Sequence, residues 1–285
     1  MRLCDMPNIM QSVIIFGVSR GIGRLIAEHL VQNGNEVSVA GRDNGTLGRF
    51  KHAVTKQNLN INVVKADIVA EKEVIHAFNY HKKEWGKSPD VVINCAAIQG
   101  PIGNSWTIPV CKWEEVIRIN LLGSFIVSKI AVKQMVKSGY GSIIMFSGGG
   151  AVYGRPNFNA YGVSKTGVLR MVETIAEELN IAGYPDIIIN AIAPGAVKTG
   201  MTSEILNAGQ KAGKKALEEA AQVIKNGGTS SRQIIDLVDF LIDVKRNNGL
   251  TGRLIHVRED YKKLVKKYGK EVPDEIGKIR RVPIK

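Results

Sequence analysis

Only three cysteines occur in 285 residues, Cys4, Cys95 and Cys111, and they lie far apart. The odd number, the wide spacing and the lack of any Cys-x-x-Cys argue against a disulfide scaffold and against a zinc site. They fit a reducing, cytoplasmic compartment. No uninterrupted apolar run reaches the roughly 20 residues that span a bilayer. The opening residues, MRLCDMPNIMQ, hold no apolar stretch of about 7–15 residues before a small-residue cleavage site, so they do not read as a secretory signal. They read as a short overhang before the first strand, with Met10 as an alternative start. Acidic residues are the scarcer charge, 26 against 39 Lys and Arg, which leaves a formal net charge of +13. Such an excess suits an anionic partner or a merely basic solvated surface. The basic residues are spread along the chain and no nucleic-acid module is present, which sets nucleic acid aside. No repeat, low-complexity linker or domain boundary interrupts residues 1–285, so one domain is expected.

What is present is an alternation. Short, β-branched apolar runs occupy 12–17, 35–41, 60–68, 90–97, 141–147, 186–194 and 250–257. Segments with helical periodicity lie between them at 21–34, 71–85, 112–138, 159–182 and 232–245. Nearly continuous apolar strands separated by helices predict a Rossmann-type, doubly wound α/β fold. Its parallel sheet of about seven strands is covered on both faces. Ligands in such sheets bind beyond the carboxyl ends of the strands. Two regions break the pattern. Residues 200–229 are helix-forming and follow a strand end, where they would form a lid. The core spans 12–257, and the mixed-charge tail 258–285 reads as a docked or partly disordered extension.

The stretch FGVSRGIGR puts Gly17, Gly21 and Gly23 at a strand-to-helix turn. Glycine there permits the tight bend and lets a pyrophosphate approach the backbone, while free N–H groups at the helix start face the phosphates. Ser19, Arg20 and Ile22 belong to the same loop. An NAD enzyme usually carries Asp or Glu at the end of the second strand. Here Val39-Ala40-Gly41 is followed by Arg42, and a guanidinium suits a phosphate. NADP(H) is therefore favoured over NAD(H), with the nearby Asp43 keeping NAD(H) open.

In YGVSK, Tyr161 and Lys165 are four residues apart and share one helical face. An ammonium beside a phenol favours the phenolate and brings its pKa toward the working range. That expectation makes Tyr161 the acid–base group of a hydride transfer between a nicotinamide and a small-molecule carbonyl or alcohol.

Taken together, GVSRGIG, Asp67-Ile68, NCAA (94–97), INLLGSF (119–125), YGVSK (161–165) and APGAVKT (193–199) resemble the short-chain dehydrogenase/reductase family over residues 12–257. The resemblance implies that Asp67 and Ile68 meet the adenine and that Asn94 and Ala96 shape the sheet beside the cofactor. Pro194, Gly195, Val197 and Thr199 would line the nicotinamide. Lys165 would also hold the ribose, and Asn120 would support a proton relay. Cys95 and Ala97 replace the usual Asn and Gly, and Cys95 reads as a small core residue. The resemblance further implies a homodimer or homotetramer through 112–138 and 159–182.

One family feature is missing. The serine that polarises the substrate oxygen usually stands 13 residues before the tyrosine, and that position is Gly148. Ser147 after a local adjustment, backbone N–H groups of the loop including Gly148, or a crippled site all remain open, and with the last a non-catalytic NADPH-binding sensor or scaffold. The segments SGGGA and GRPNF, the 200–229 insertion and the tail ending in KIRRV resemble bacterial members associated with polysaccharide or nucleotide-sugar biosynthesis. A sugar or other anionic substrate is one expectation, and 3-oxoacyl thioesters are another.

Overall fold

A computed structural model describes residues 10–148 and 150–280. Cys4, the middle glycine of the 148–150 run and the final residues of the tail lie outside the described residues. Among the described residues, seven strands form one sheet: β1 (Ser12–Phe16), β2 (Glu36–Gly41), β3 (Asn62–Lys65), β4 (Val91–Asn94), β5 (Gly141–Phe146), β6 (Ile187–Ala193) and β7 (Leu254–His256). All pair in parallel, in the order β3-β2-β1-β4-β5-β6-β7. The chain winds outward from β1 to β3 and then returns to β4 on the other side of β1. That reversal opens a crevice at the strands' carboxyl ends.

Among the described residues, ten α-helices flank the sheet: α1 (Ile22–Gln32), α2 (Asn44–Thr55), α3 (Glu71–Trp85), α4 (Val110–Ile117), α5 (Gly123–Ser138), α6 (Asn159–Ile181), α7 (Gly200–Asn207), α8 (Lys214–Asn226), α9 (Ser231–Leu241) and α10 (Tyr261–Tyr268). Strand side chains alternate between faces. Val13 and Ile15 therefore join one core with Ile26 of α1, Phe50 of α2 and Leu237 of α9. Ile14 and Phe16 join the other with Phe78 of α3, Val127 of α5 and Val168 of α6.

The helices depart from expectation in three places. No helix was expected over 44–55. Its apolar signal is sparse (Leu47, Phe50 and Val54), and Gly45 and Gly48 depress its propensity. The carboxylate of Asp43 caps it, accepting the Thr46 N–H at 2.6 Å. The expected helix 112–138 begins at Val110 and is interrupted by a π-helical turn at Arg118–Leu122, the kind of bulge that recurs at functional sites. The expected helix 232–245 ends at Leu241.

A buried network holds β1, β2 and α3 together. His81 Nε2 pairs with Ser12 Oγ at 2.8 Å and its Nδ1 with Ser38 Oγ at 2.9 Å. Trp85 Nε1 donates to Ser38 Oγ at 3.1 Å. Burial, with a smaller push from Lys87, lowers the imidazole pKa to about 4. Between pH ~6.5 and ~4 the unfolded chain binds a proton that the folded protein refuses. Stability should therefore fall as pH drops through that window, by about 3 kcal/mol once complete. His81→Gln should flatten this loss in urea unfolding at pH 7 and pH 4. Equal acid losses in the two proteins would reject the assignment.

The tail is docked through residue 280. Tyr261 and Val265 of α10 are buried against α9, with the Phe240 and Tyr261 ring centroids 4.9 Å apart. Arg253, just before β7, donates to the carbonyls of Val272, Pro273 and Ile276 at 2.7–2.8 Å. Leu254 N donates to Gly277 O at 2.7 Å, so the tail also covers the outer edge of the sheet.

Candidate active site

The glycine bend after β1 is built by close approach. A Cβ on Gly17, whose φ is +85°, would strike the backbone nitrogen of Ala96, and one on Gly23 would strike the carbonyl oxygen of Gly17. The bend thus presses onto the loop after β4 and leaves the first N–H groups of α1 facing the crevice. A dinucleotide phosphate fits this cradle because the two glycines let the bend close onto the loop after β4 and leave bare backbone lining the hollow.

Gly17, Ser19, Arg20, Gly21, Ile22, Gly23, Arg42, Asp67, Ile68, Ala96 and Thr199 line a hollow of about 180 Å³. Pro194, Gly195, Val197, Ser147, Gly148, Tyr161 and Lys165 line an adjoining one of about 610 Å³. Ile22, Cys95, Ala97, Thr199 and Met201 border both, so they form one continuous crevice. Arg42 is exposed at the end of β2, while Asp43 is committed to the α2 cap, and hydrogen bonding from the Thr46 side chain and then its N–H holds its carboxyl below the usual range. Arg20 pairs with Glu204 of α7 at 2.8 Å, strapping that helix beside the bend. Asp67 Oδ1 accepts the Val69 N–H at 3.2 Å. Burial pushes the Cys95 thiol up, which keeps it neutral.

Asn94 and Asn120 border neither hollow. Asn94 donates to Ser124 Oγ at 3.0 Å and accepts the Ala96 N–H at 3.1 Å. Asn120, fully buried in the π-helical turn, accepts from Ile98 N and donates to Ile98 O, both at 2.9 Å, and also donates to Ser164 Oγ at 3.1 Å. Both asparagines therefore set the path of the loop after β4.

Lys165 is buried on α6, and its Nζ donates to Phe146 O at 2.8 Å. It lies 5.6 Å from the centroid of the Tyr161 ring. Desolvation lowers its pKa to about 8. The expected lowering of the Tyr161 pKa by Lys165 is not what the protein shows. Burial pushes the phenol up to about 12, and the cation that opposes the rise is Arg155. The low-dielectric pocket disfavours phenolate and ammonium alike, and Lys165 is turned toward a backbone carbonyl. Tyr161 is accordingly a neutral phenol with a proton to give.

Ser147, expected as a substrate contact, borders the large cavity. Its hydroxyl donates to Lys165 O at 3.2 Å, turned onto α6. Gly148 is the position that faces the phenol: a Cβ there would lie 2.6 Å from Tyr161 Oη. The tyrosine oxygen thus occupies space that a side chain at 148 would need.

Several cavity residues carried no signal of their own. Arg155 stacks over Phe158 at 4.4 Å and pairs with Glu219 of α8 at 3.4 Å. Ile205 of α7 and Lys278 of the tail complete the wall, Lys278 paired with Asp274. Gln99, two residues beyond NCAA, is 4% exposed and borders the same cavity. The 200–229 segment was expected over the crevice, and α7 and α8 do wall it. Lys278 could not be placed because it reaches the cavity only through tertiary docking. Among the described residues there is no cluster of metal-ligating side chains and no helix long and apolar enough to cross a membrane.

Residues 11–210 match the family described as short chain dehydrogenase. The chain is 31% identical over 255 residues to a 3-oxoacyl-[acyl-carrier-protein] reductase, FabG, of Buchnera aphidicola, covering 88% of this chain and 97% of the relative. It is 26% identical to an NAD+-bound xylitol dehydrogenase, with a TM-score of 0.75 over 86% of this chain and 96% of that one. It is also 26% identical to ElxO with NADP bound, with a TM-score of 0.73 over 87% and 97%. Neighbours therefore hold either nicotinamide cofactor, and none of the three names a polysaccharide or nucleotide-sugar pathway. With a glycine-bend crevice at the switch point of a seven-stranded parallel sheet and this match over residues 11–210, the chain belongs to the short-chain dehydrogenase/reductase family of NAD(P)-dependent oxidoreductases.

Proposed function

We propose that the protein is an NADP(H)-dependent reductase that interconverts a carbonyl and an alcohol, with 3-oxoacyl thioesters as the first substrate class to try. The observation that carries the reading is the neutral Tyr161 phenol at the Gly148 gap in the large cavity, with Lys165 buried behind it. The nicotinamide, when bound, supplies the hydride. Tyr161 Oη holds the proton that the developing alkoxide takes up. Lys165, its pKa drawn down to about 8, can exchange a proton near neutrality and return one to the phenolate. Asn120 keeps the loop after β4 in place through both backbone groups of Ile98.

The apolar share of the cavity wall, including Val152, Leu169, Met201, Ile205 and Val223, favours an acyl chain, and relatives named as 3-oxoacyl reductases agree with it. A sugar-type substrate is supported by the neighbours named as a xylitol dehydrogenase and a putative gluconate dehydrogenase. An anionic substrate has less support. Arg155 is already paired with Glu219 and Lys278 with Asp274. Exposed Leu122, Phe125 and Val163, on the π-helical turn, α5 and α6, offer a face for a homodimer or homotetramer.

The test is oxidation of NADPH and NADH against 3-oxoacyl thioesters, keto sugars and keto-sugar nucleotides. No turnover with any carbonyl, alongside tight NADPH binding, would defeat the reading. Arg42→Asp should cut the NADPH-over-NADH ratio of kcat/KM by about 10–100-fold, the worth of one charge-assisted contact to a phosphate. An unchanged ratio would remove Arg42 from cofactor choice.

A further inference from the structure

We propose that Gln99 is a catalytic residue: its side-chain amide donates the hydrogen bond to the substrate's carbonyl oxygen that a hydroxyl at position 148 would otherwise supply. The inference rests on the carbonyl-reductase reading and names the group that completes it.

The two nearest replacements are unavailable on geometry. Gly148 has no side chain, and the space its Cβ would need is taken by Tyr161 Oη. Ser147 spends its hydroxyl on the carbonyl of Lys165. Gln99 differs from both. It is 4% exposed, borders the cavity shared by Tyr161, Lys165 and Gly148, and its Nε2 has no hydrogen-bond partner among the described residues.

A buried donor left unpaired is costly, and native proteins rarely tolerate one without a use. Its backbone is also fixed on both sides. The Asn120 side chain holds the N–H and the C=O of Ile98. Gly100, at φ +75°, is pressed so closely against Val116 that no side chain fits there. A fixed loop therefore places a buried, unsatisfied amide in the wall of the cavity that Tyr161 also lines. A donor placed in advance, in a dry site, strengthens as negative charge grows on the reacting oxygen. The amide forms a hydrogen bond only. The proton itself comes from Tyr161.

The test is Gln99→Met, which keeps length and removes the donor. With a short 3-oxoacyl thioester, or whichever ketone of the panel the wild type reduces best, kcat should fall about 100-fold, as when an oxyanion donor is lost. NADPH affinity, read by fluorescence titration, should be unchanged. Without ligand, Q99M should melt about 2–4 °C higher than wild type, because the unpaired buried donor is gone. Three results would overturn the proposal. One is a kcat within threefold of wild type. Another is a lower melting temperature, which would mark Gln99 as structural. The third is a loss of NADPH affinity matching the loss of rate, which would make Gln99 a cofactor contact. A wild type that reduces no carbonyl overturns the underlying reading, and it is told apart because that failure appears before any substitution.

Discussion

Tyr161→Phe should lower kcat by about 10³-fold, the middle of the range for a positioned general acid, while NADPH still binds. The change removes one oxygen and leaves the ring. Tyr161 Oη makes no hydrogen bond with the described residues, and it lies against the Gly148 gap at a residue that lines the cavity. Folding should therefore be nearly unaffected, and the melting temperature should stay within about 2 °C, as for a substitution outside the main destabilising mechanisms. The high phenol pKa gives a second readout. Burial holds Tyr161 protonated up to about 12, so no loss of carbonyl reduction by phenol ionisation should appear below pH 10. Any titration between pH 7 and 9 should come from Lys165, whose pKa is about 8. Single-turnover reduction from pH 6 to 10 measures both. A variant that keeps more than a tenth of wild-type kcat would remove Tyr161 from the chemistry.

Arg253→Leu should give the largest loss of stability, on the order of 4 kcal/mol, because one buried guanidinium holds three backbone carbonyls. Hydrogen bonds to a charged group contribute about 1.5–3 kcal/mol each, and the three share one cation, so their sum is an upper bound. The melting temperature should drop by roughly 10 °C. The tail is the first element to be freed. Its exposed lysines, among them Lys262, Lys263 and Lys266, make release by trypsin a direct reading. Because Gly277 and Lys278 border the large cavity, KM for the carbonyl should rise while that for NADPH holds. Wild-type trypsin resistance in R253L would show that α10 packing suffices.

These two predictions draw on different sources. Tyr161 could be picked out because its partner lies one helical turn away, and the strand before it reads as buried. The same local logic makes all seven strands, the glycine bend and Arg42 legible. Each depends on residues within about ten positions, and the alternation of apolar runs leaves few ways to order the sheet. Helix α2 was illegible because three apolar residues and two glycines state no clear period. The π-helical turn was illegible because INLLGSF has the composition of an unbroken helix.

From the sequence alone follow the doubly wound α/β architecture, the phosphate cradle, the Tyr161–Lys165 pair and the absence of a hydroxyl at position 148, all consequences of short-range spacing and steric demand. Only the tertiary structure decided that the phenol is neutral, that the Ser147 hydroxyl turns onto α6, that Gln99 holds a buried amide nitrogen unpaired among the described residues and that the tail reaches the cavity. Those properties depend on desolvation and on contacts between segments distant in the chain, such as Arg253 with Val272 or Asn120 with Ile98. No local pattern of residues encodes which groups end up away from water together.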